Sequence, residues 1–309
     1  MNNNLPIKIQ LPESFFLEEE RNGHLVTTQM KEIWAVELDL LSEFVRVCTK
    51  YHLKWFADSG TLLGAVRHNG FIPWDDDTDV SMFRDDYEKL CEVAPNEFKY
   101  PYFWATALTN RGAVRGYAQL QNDLTTAIQV GHQEKKFSFH QGIFLDIFPL
   151  DNVPADKSLR DTLVSDVLRQ QNRIAAIAGC TFMYRPHRHE GAYRYVKHWL
   201  KHIAYEILQK HKQYVPEVNK WYSIMKRYNG EKTEDIVQIM MPNVERQMVK
   251  LDWYDHMEWM PFENMQIAVP NGWQHVLENF YGDWHKMIRG GSMHECFFDT
   301  RIPYTEYIK

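Results

Sequence analysis

Apolar positions recur along the chain with either helical or strand spacing. Met30, Trp34, Leu38, Leu41, Val45 and Cys48 fall at steps of three or four, the stripe of an amphipathic helix. Leu53-Lys54-Trp55-Phe56-Ala57 predicts a short buried strand running into Ser59-Gly60-Thr61 and a helical stretch that Asn69-Gly70 stops. Residues 77–82 predict a second strand. The next helix is expected to start at Asp85, with Glu88 as a capping-box partner, and to stop before Pro95. Residues 117–121 and 124–130 flank Asn122-Asp123 as the arms of a hairpin. Residues 142–151 predict a third, strongly apolar strand. From Asp156 to about Tyr228 the pattern is helical, and strand-like pieces return around residues 260–270. The fold class expected is α/β (α+β), a mixed sheet with flanking helices and a mainly helical C-terminal half. Residues 1–28 read as an N-terminal arm, 29–155 as the catalytic core and 156–309 as the part completing the same domain.

Composition narrows the class. Of 309 residues, 44% are hydrophobic and 25% charged, as in a folded chain, and 14% are aromatic. Lys+Arg 35 against Asp+Glu 41 gives a formal charge of −6, which argues against a general nucleic-acid binder. The four cysteines, at 48, 91, 180 and 296, form no CxxC pair and no dense disulfide framework. No secretory leader and no bilayer-length apolar run is evident, so a cytoplasmic location is expected, extending at most to the inner face of a membrane.

The chemistry concentrates in one place. Asp75, Asp76, Asp77, Asp79, Asp85 and Asp86 put six carboxylates within twelve residues. Strand alternation points Asp77 and Asp79 the same way, an arrangement suited to Mg²⁺ or Mn²⁺ bridging to phosphates. A solvated acidic loop is the structural alternative. Two features favour the metal. Asp146 interrupts an otherwise apolar strand, where an ionised carboxylate is costly without a partner. Ser59-Gly60-Thr61 lies where a strand meets a helix, the geometry in which backbone N–H groups hold phosphate. Together these describe a nucleotidyltransferase-like site. An EF-hand is excluded by Val80 at the position that needs Gly and by Asp86 in place of the usual Glu.

The stretch from Trp55 to Val80, containing Ser59-Gly60-Thr61 and Asp75-Asp76-Asp77-Thr78-Asp79, closely resembles the signature of the LicD family, bacterial phosphocholine transferases related to fukutin and fukutin-related protein. Arg84-Asp85-Asp86-Tyr87-Glu88, residues 142–151, Pro261-Phe262-Glu263, Val269-Pro270 and Tyr281-Gly282-Asp283-Trp284 are similar to further landmarks of that family, so the resemblance runs from about residue 30 to 287. The chain departs at Thr78, where Ile is usual, and at Arg289-Gly290-Gly291, where a Pro-containing segment is expected. The resemblance implies transfer of a phospho-alcohol, phosphocholine foremost, from a CDP-activated donor to a hydroxyl of a cell-surface glycan, with release of CMP.

On this reading Asp77, Asp79 and Asp146 are the catalytic and metal-binding carboxylates, with Asp146 either a ligand or the base. Asp75 and Asp76 are helpers in the loop, though a ligand set shifted by one position stays open. Ser59, Gly60, Thr61, Arg67 and Gln119 are assigned to the CDP-alcohol donor. An ion pair to the aspartate loop is the alternative for Arg67, and a structural hairpin for Gln119, Asn122, Thr125 and Thr126. Trp74 stacks on a base or choline, or is core. Residues 185–212 carry seven Lys/Arg against two Glu, with His and aromatic residues interleaved, a candidate peripheral membrane contact or else a solvated face. His198 and His202 lack further zinc ligands nearby. The competing functions are a sugar-nucleotide glycosyltransferase with an Asp77-x-Asp79 metal site and a catalytically silent glycan- or nucleotide-binding module.

Overall fold

The computed structural model describes residues 4–133, 137, 139–178, 191–193, 196–197, 199–200, 214–241, 243–289 and 296–308. Its strands are β1 (Glu19–Arg21), β2 (His24–Val26), β3 (Phe56–Ala57), β4 (Thr78–Phe83), β5 (Tyr102–Ala105), β6 (Ala118–Asn122), β7 (Thr126–Gln129), β8 (Ile143–Val153), β9 (Asp235–Val237), β10 (Val249–Lys250), β11 (Met257–Phe262), β12 (Met265–Pro270) and β13 (Cys296–Asp299). The longer helices are α1 (Thr28–Tyr51), α2 (Ser59–His68), α3 (Arg84–Glu97), α4 (Lys157–Ala178), α5 (Tyr214–Met225) and α6 (Trp273–Tyr281).

The eleven-residue β8 organises the main sheet. It pairs parallel with β4, and antiparallel with β6 over its first half and with β9 at its end. β3, β5 and β10 extend the sheet from β4, β6 and β9, giving seven strands and bearing out the mixed α/β class. Alternation sorts the side chains. Thr78, Val80 and Met82 share one face of β4, and in-register Leu145 and Ile147 share it on β8; all are buried there. α1 packs across β6 and β8, and its Glu37 accepts a hydrogen bond from Thr78 on that side. The opposite face carries Asp79 and Ser81 on β4, Asp146 on β8 and Gln119 and Gln121 on β6.

The helix expected from Met30 runs from Thr28 to Tyr51. Thr27 caps it by accepting from the Met30 N–H, and His52 ends it in the left-handed region. The hairpin at 260–270 forms as β11–β12.

Other expectations fail for identifiable reasons. β6 and β7 do not pair with each other: the edges of β6 are taken by β5 and β8, and β7 pairs with β13. α3 starts at Arg84, without a side-chain cap, and passes through Pro95 to Glu97. Buried Leu90, Val93, Ala94 and Phe98 hold its last turn despite the donor that proline lacks. Glu88 pairs instead with Lys226. The N-terminal arm packs on the main core. Leu5, Leu11, Phe16 and Val26 enter the main core, and β1–β2 is a hairpin turned by Asn22-Gly23, both at positive φ. Beyond residue 156 the chain adds β9 and β10 to the main sheet, strands the sequence reading did not anticipate. α4 and α5 form a second core around Trp221. Most of the basic 185–212 segment, including His202 and the His198 side chain, lies outside the described residues.

Candidate active site

The Ser59 turn and the acidic loop fit together through backbone contacts. The Asp58 N–H donates to the Asp79 carbonyl at 3.0 Å, and the Asp79 N–H donates to Thr61 Oγ1 at 2.9 Å. Ser59 opens α2 at φ 46°, in the left-handed region that L-residues rarely enter. Next to it, a Cβ at position 60 would collide with the Asp75 carboxylate, so glycine lets the acidic loop close on the start of α2. The indole of Trp34 on α1 donates to the Asp75 carbonyl at 2.9 Å, and its ring stacks on Phe71 at 4.7 Å. A residue read as helix core thus also pins the loop.

Several carboxylates are assembled here. Ligand oxygens of Asp75, Asp76 and Asp77 come within 4.8 Å of one another, an oxygen-only set. Beside them Asp79 and Asp146 are register partners on adjacent parallel strands. Burial, followed by the charges of Asp77 and Asp146, holds Asp79 well above the usual carboxylate range. Burial raises Asp75 in the same way, with Asp77 and Asp76 adding to it. Asp146 is pushed up to about 7 by burial, against the opposing charge of Arg115 and a hydrogen bond from Gln119. That bond, Gln119 Nε2 to Asp146 Oδ1, is 2.6 Å long, and Gln121 Nε2 in turn donates to Gln119 Oε1 at 2.7 Å. Buried Glu37, on the far face, is also raised, first by burial and then by Asp77, Asp76 and Asp75. Like charges crowded into a partly buried site are what a divalent cation relieves. Hard oxygen donors suit Mg²⁺ or Mn²⁺ over thiophilic metals, so the residues fit the metal the sequence implies.

A family model described as LicD/FKTN/FKRP, nucleotidyltransferase domain, matches residues 52–171. Residues 52–171 are a LicD-family domain. The lipopolysaccharide cholinephosphotransferase LicD of Haemophilus influenzae is 26% identical over 84% of this chain and 92% of its own length. Two uncharacterized proteins, from Rickettsia prowazekii and Rickettsia typhi, are 43% and 42% identical over 18% and 19% of the chain, about a fifth of their own lengths.

Within the LicD domain the assigned residues separate. Ser59, Gly60, Thr61, Asp75, Asp77, Asp79, Asp146 and Gln119 converge on one end of the sheet. Arg67 does not join them: it makes no ion pair with the acidic loop and bonds the carbonyls of Trp284 and Lys286 and the His68 ring. Asn122, Thr125 and Thr126 are structural, bonding the Pro6 carbonyl, the Asn122 carbonyl and the Ile302 carbonyl respectively. Trp74 is half-buried against the main core.

Two residues escaped the sequence reading. Asp58, buried at the head of α2, accepts from Ser59 Oγ at 3.0 Å and Gln238 Nε2 at 2.9 Å, and burial raises its pKa. Its place in the signature was the available signal. Arg115, half-buried, is the cation that acts on Asp146. It sits in a loop without periodicity, and nothing local announces it. No described helix is long and apolar enough to cross a membrane.

Proposed function

We propose that the chain is a metal-dependent phosphotransferase that moves a phospho-alcohol, phosphocholine foremost, from a CDP-activated donor to a hydroxyl of a lipopolysaccharide-type glycan and releases CMP. The observation that carries this reading is the concentration of mutually raised carboxylates, half-buried Asp75 and Asp79 with buried Asp146, at the joined ends of β4 and β8, against the head of α2, inside a LicD-family domain. The name of the Haemophilus relative supplies the choline and the glycan class.

Asp77 and Asp79, with Asp75 and Asp76 beside them, would hold Mg²⁺ or Mn²⁺. The ion would neutralise charge on the phosphate oxygens, the main requirement of phosphoryl transfer. The first N–H groups of α2, at Ser59 and Gly60, orient the donor diphosphate. Arg115 offers a guanidinium to the same phosphates. Asp146, held by Gln119, is positioned either to ligate or to take the proton of the acceptor hydroxyl, and a carboxylate raised toward neutrality is a competent base.

The test is CMP release from CDP-choline, CDP-ethanolamine, CDP-glycerol and CDP-ribitol with Mg²⁺ and lipopolysaccharide acceptors, in wild type and Asp77→Asn. The expected result is release with one CDP-alcohol and a loss on the order of 10³-fold in Asp77→Asn. Release of a nucleoside diphosphate from a sugar nucleotide would favour a glycosyltransferase.

A further inference from the structure

A cleft of about 440 Å³ opens where Trp74, the β1–β2 turn, Arg67 and the segment after α6 meet. Its charged lining is cationic, Arg67 and Arg289, joined by the imidazoles of His24 and His285 and by no carboxylate. Arg67 is half-buried and forms no ion pair with a described residue. Its Nε donates to His68 Nε2 at 2.9 Å, and Nη1 donates to the Trp284 carbonyl at 3.2 Å. His68 cannot share the positive charge, because burial and the charges of Arg67 and Arg21 pull it down to about 4. Arg289 is exposed and also lacks a described ionic partner. Two guanidiniums around one cleft, neither in an ion pair with a described residue, are a receptor for an anion that accepts paired hydrogen bonds, as phosphate does.

The donor diphosphate does not account for this cleft. Arg67 is eight residues along α2 from Ser59, roughly 12 Å of helix, at the opposite end from the N–H groups assigned to the donor. Trp74, which lines the cleft, directly precedes Asp75 in the chain. A sugar ring could lie on the Trp74 indole with its phosphate between Arg67 and Arg289.

We propose that this cleft binds a phosphate substituent of the glycan acceptor and so selects phosphorylated sugars as the second substrate. The identity of that substrate rests on the transferase reading above; the anion site itself does not. Calorimetric titration of the full chain with glucose 6-phosphate, glucose and CDP-choline, each with Mg²⁺, tests it. Wild type is expected to bind glucose 6-phosphate and not glucose. Arg67→Gln and Arg289→Gln are each expected to weaken glucose 6-phosphate about tenfold while leaving CDP-choline affinity unchanged. Arg289→Gln guards against a folding artefact, since Arg67 also ties down residues 284–286. Equal binding of glucose and its phosphate, or unaltered glucose 6-phosphate affinity in Arg289→Gln, overturns the proposal. An equal loss of CDP-choline binding in that variant also overturns it, by assigning the cleft to the donor. Failure of the donor reading registers separately, as absence of CDP-choline binding to wild type.

Discussion

β8 carries two buried aspartates five residues apart, and they have opposite fates. Asp151, fully buried, is gripped by Arg84 through Nε at 2.7 Å and Nη2 at 2.5 Å, with Asn229 Nδ2 at 2.7 Å. Its charge is settled within the fold. Asp146 is 2% exposed, has an amide for its hydrogen-bond partner, and faces Asp79 across the sheet. Its pKa is raised to about 7, and Arg115 offsets the burial only in part. The contrast separates two ends of β8: one aspartate is held in a bidentate ion pair, and the other keeps a raised pKa that the proposed metal would lower.

Breaking the ion-paired end should cost most in stability. Arg84→Ala removes the ionic partner of a fully buried carboxylate, with an expected loss of about 3–5 kcal/mol. Urea unfolding measures it, and a loss comparable to that of a surface ion pair would erase the contrast. Loosening the Asp146 end acts on function instead. Gln119→Ala removes the hydrogen bond that favours ionised Asp146, so metal-free carboxylate NMR should place its pKa above about 7, and transfer should slow by about tenfold. An unmoved pKa would show that Gln119 does not orient it.

The pH response is the smallest effect, and it has a definite sign. Asp146 takes up a proton more readily folded than unfolded. Its favourable contribution is therefore present at low pH and lost as pH rises from about 4 through about 7. His68 acts oppositely, being pulled down to about 4, but it is common to wild type and Asp146→Asn. Wild type without metal should therefore lose a few degrees of Tm relative to Asp146→Asn between pH 5.5 and 7.5, roughly 2–4 °C. Scanning calorimetry at the two pH values checks this, and parallel pH profiles would contradict it.

The Asp146 end was the more legible in sequence. A run of aspartates and a lone aspartate in an apolar strand are conflicts with local rules, and such conflicts mark function. The helix from Met30 and the 142–151 strand followed from periodicity alone. What stayed hidden depends on contacts distant in sequence. Arg84 precedes the helix start expected at Asp85, and only the parallel pairing of β4 with β8 brings it to Asp151. β7 looks like the return arm of a hairpin, yet its partner is β13, about 170 residues on. The cationic cleft joins positions 22–24, 67, 74 and 285–289, and no local pattern connects them.

The most direct test pairs two readings on one variant, Asp79→Asn. Its backbone bonds to Thr61 and Asp58 remain, so only the charge is lost. If the acidic end is strained to hold metal and donor phosphate, the metal-free variant will melt higher than wild type and release almost no CMP from CDP-choline with Mg²⁺. A variant that melts lower and still turns over would contradict the account.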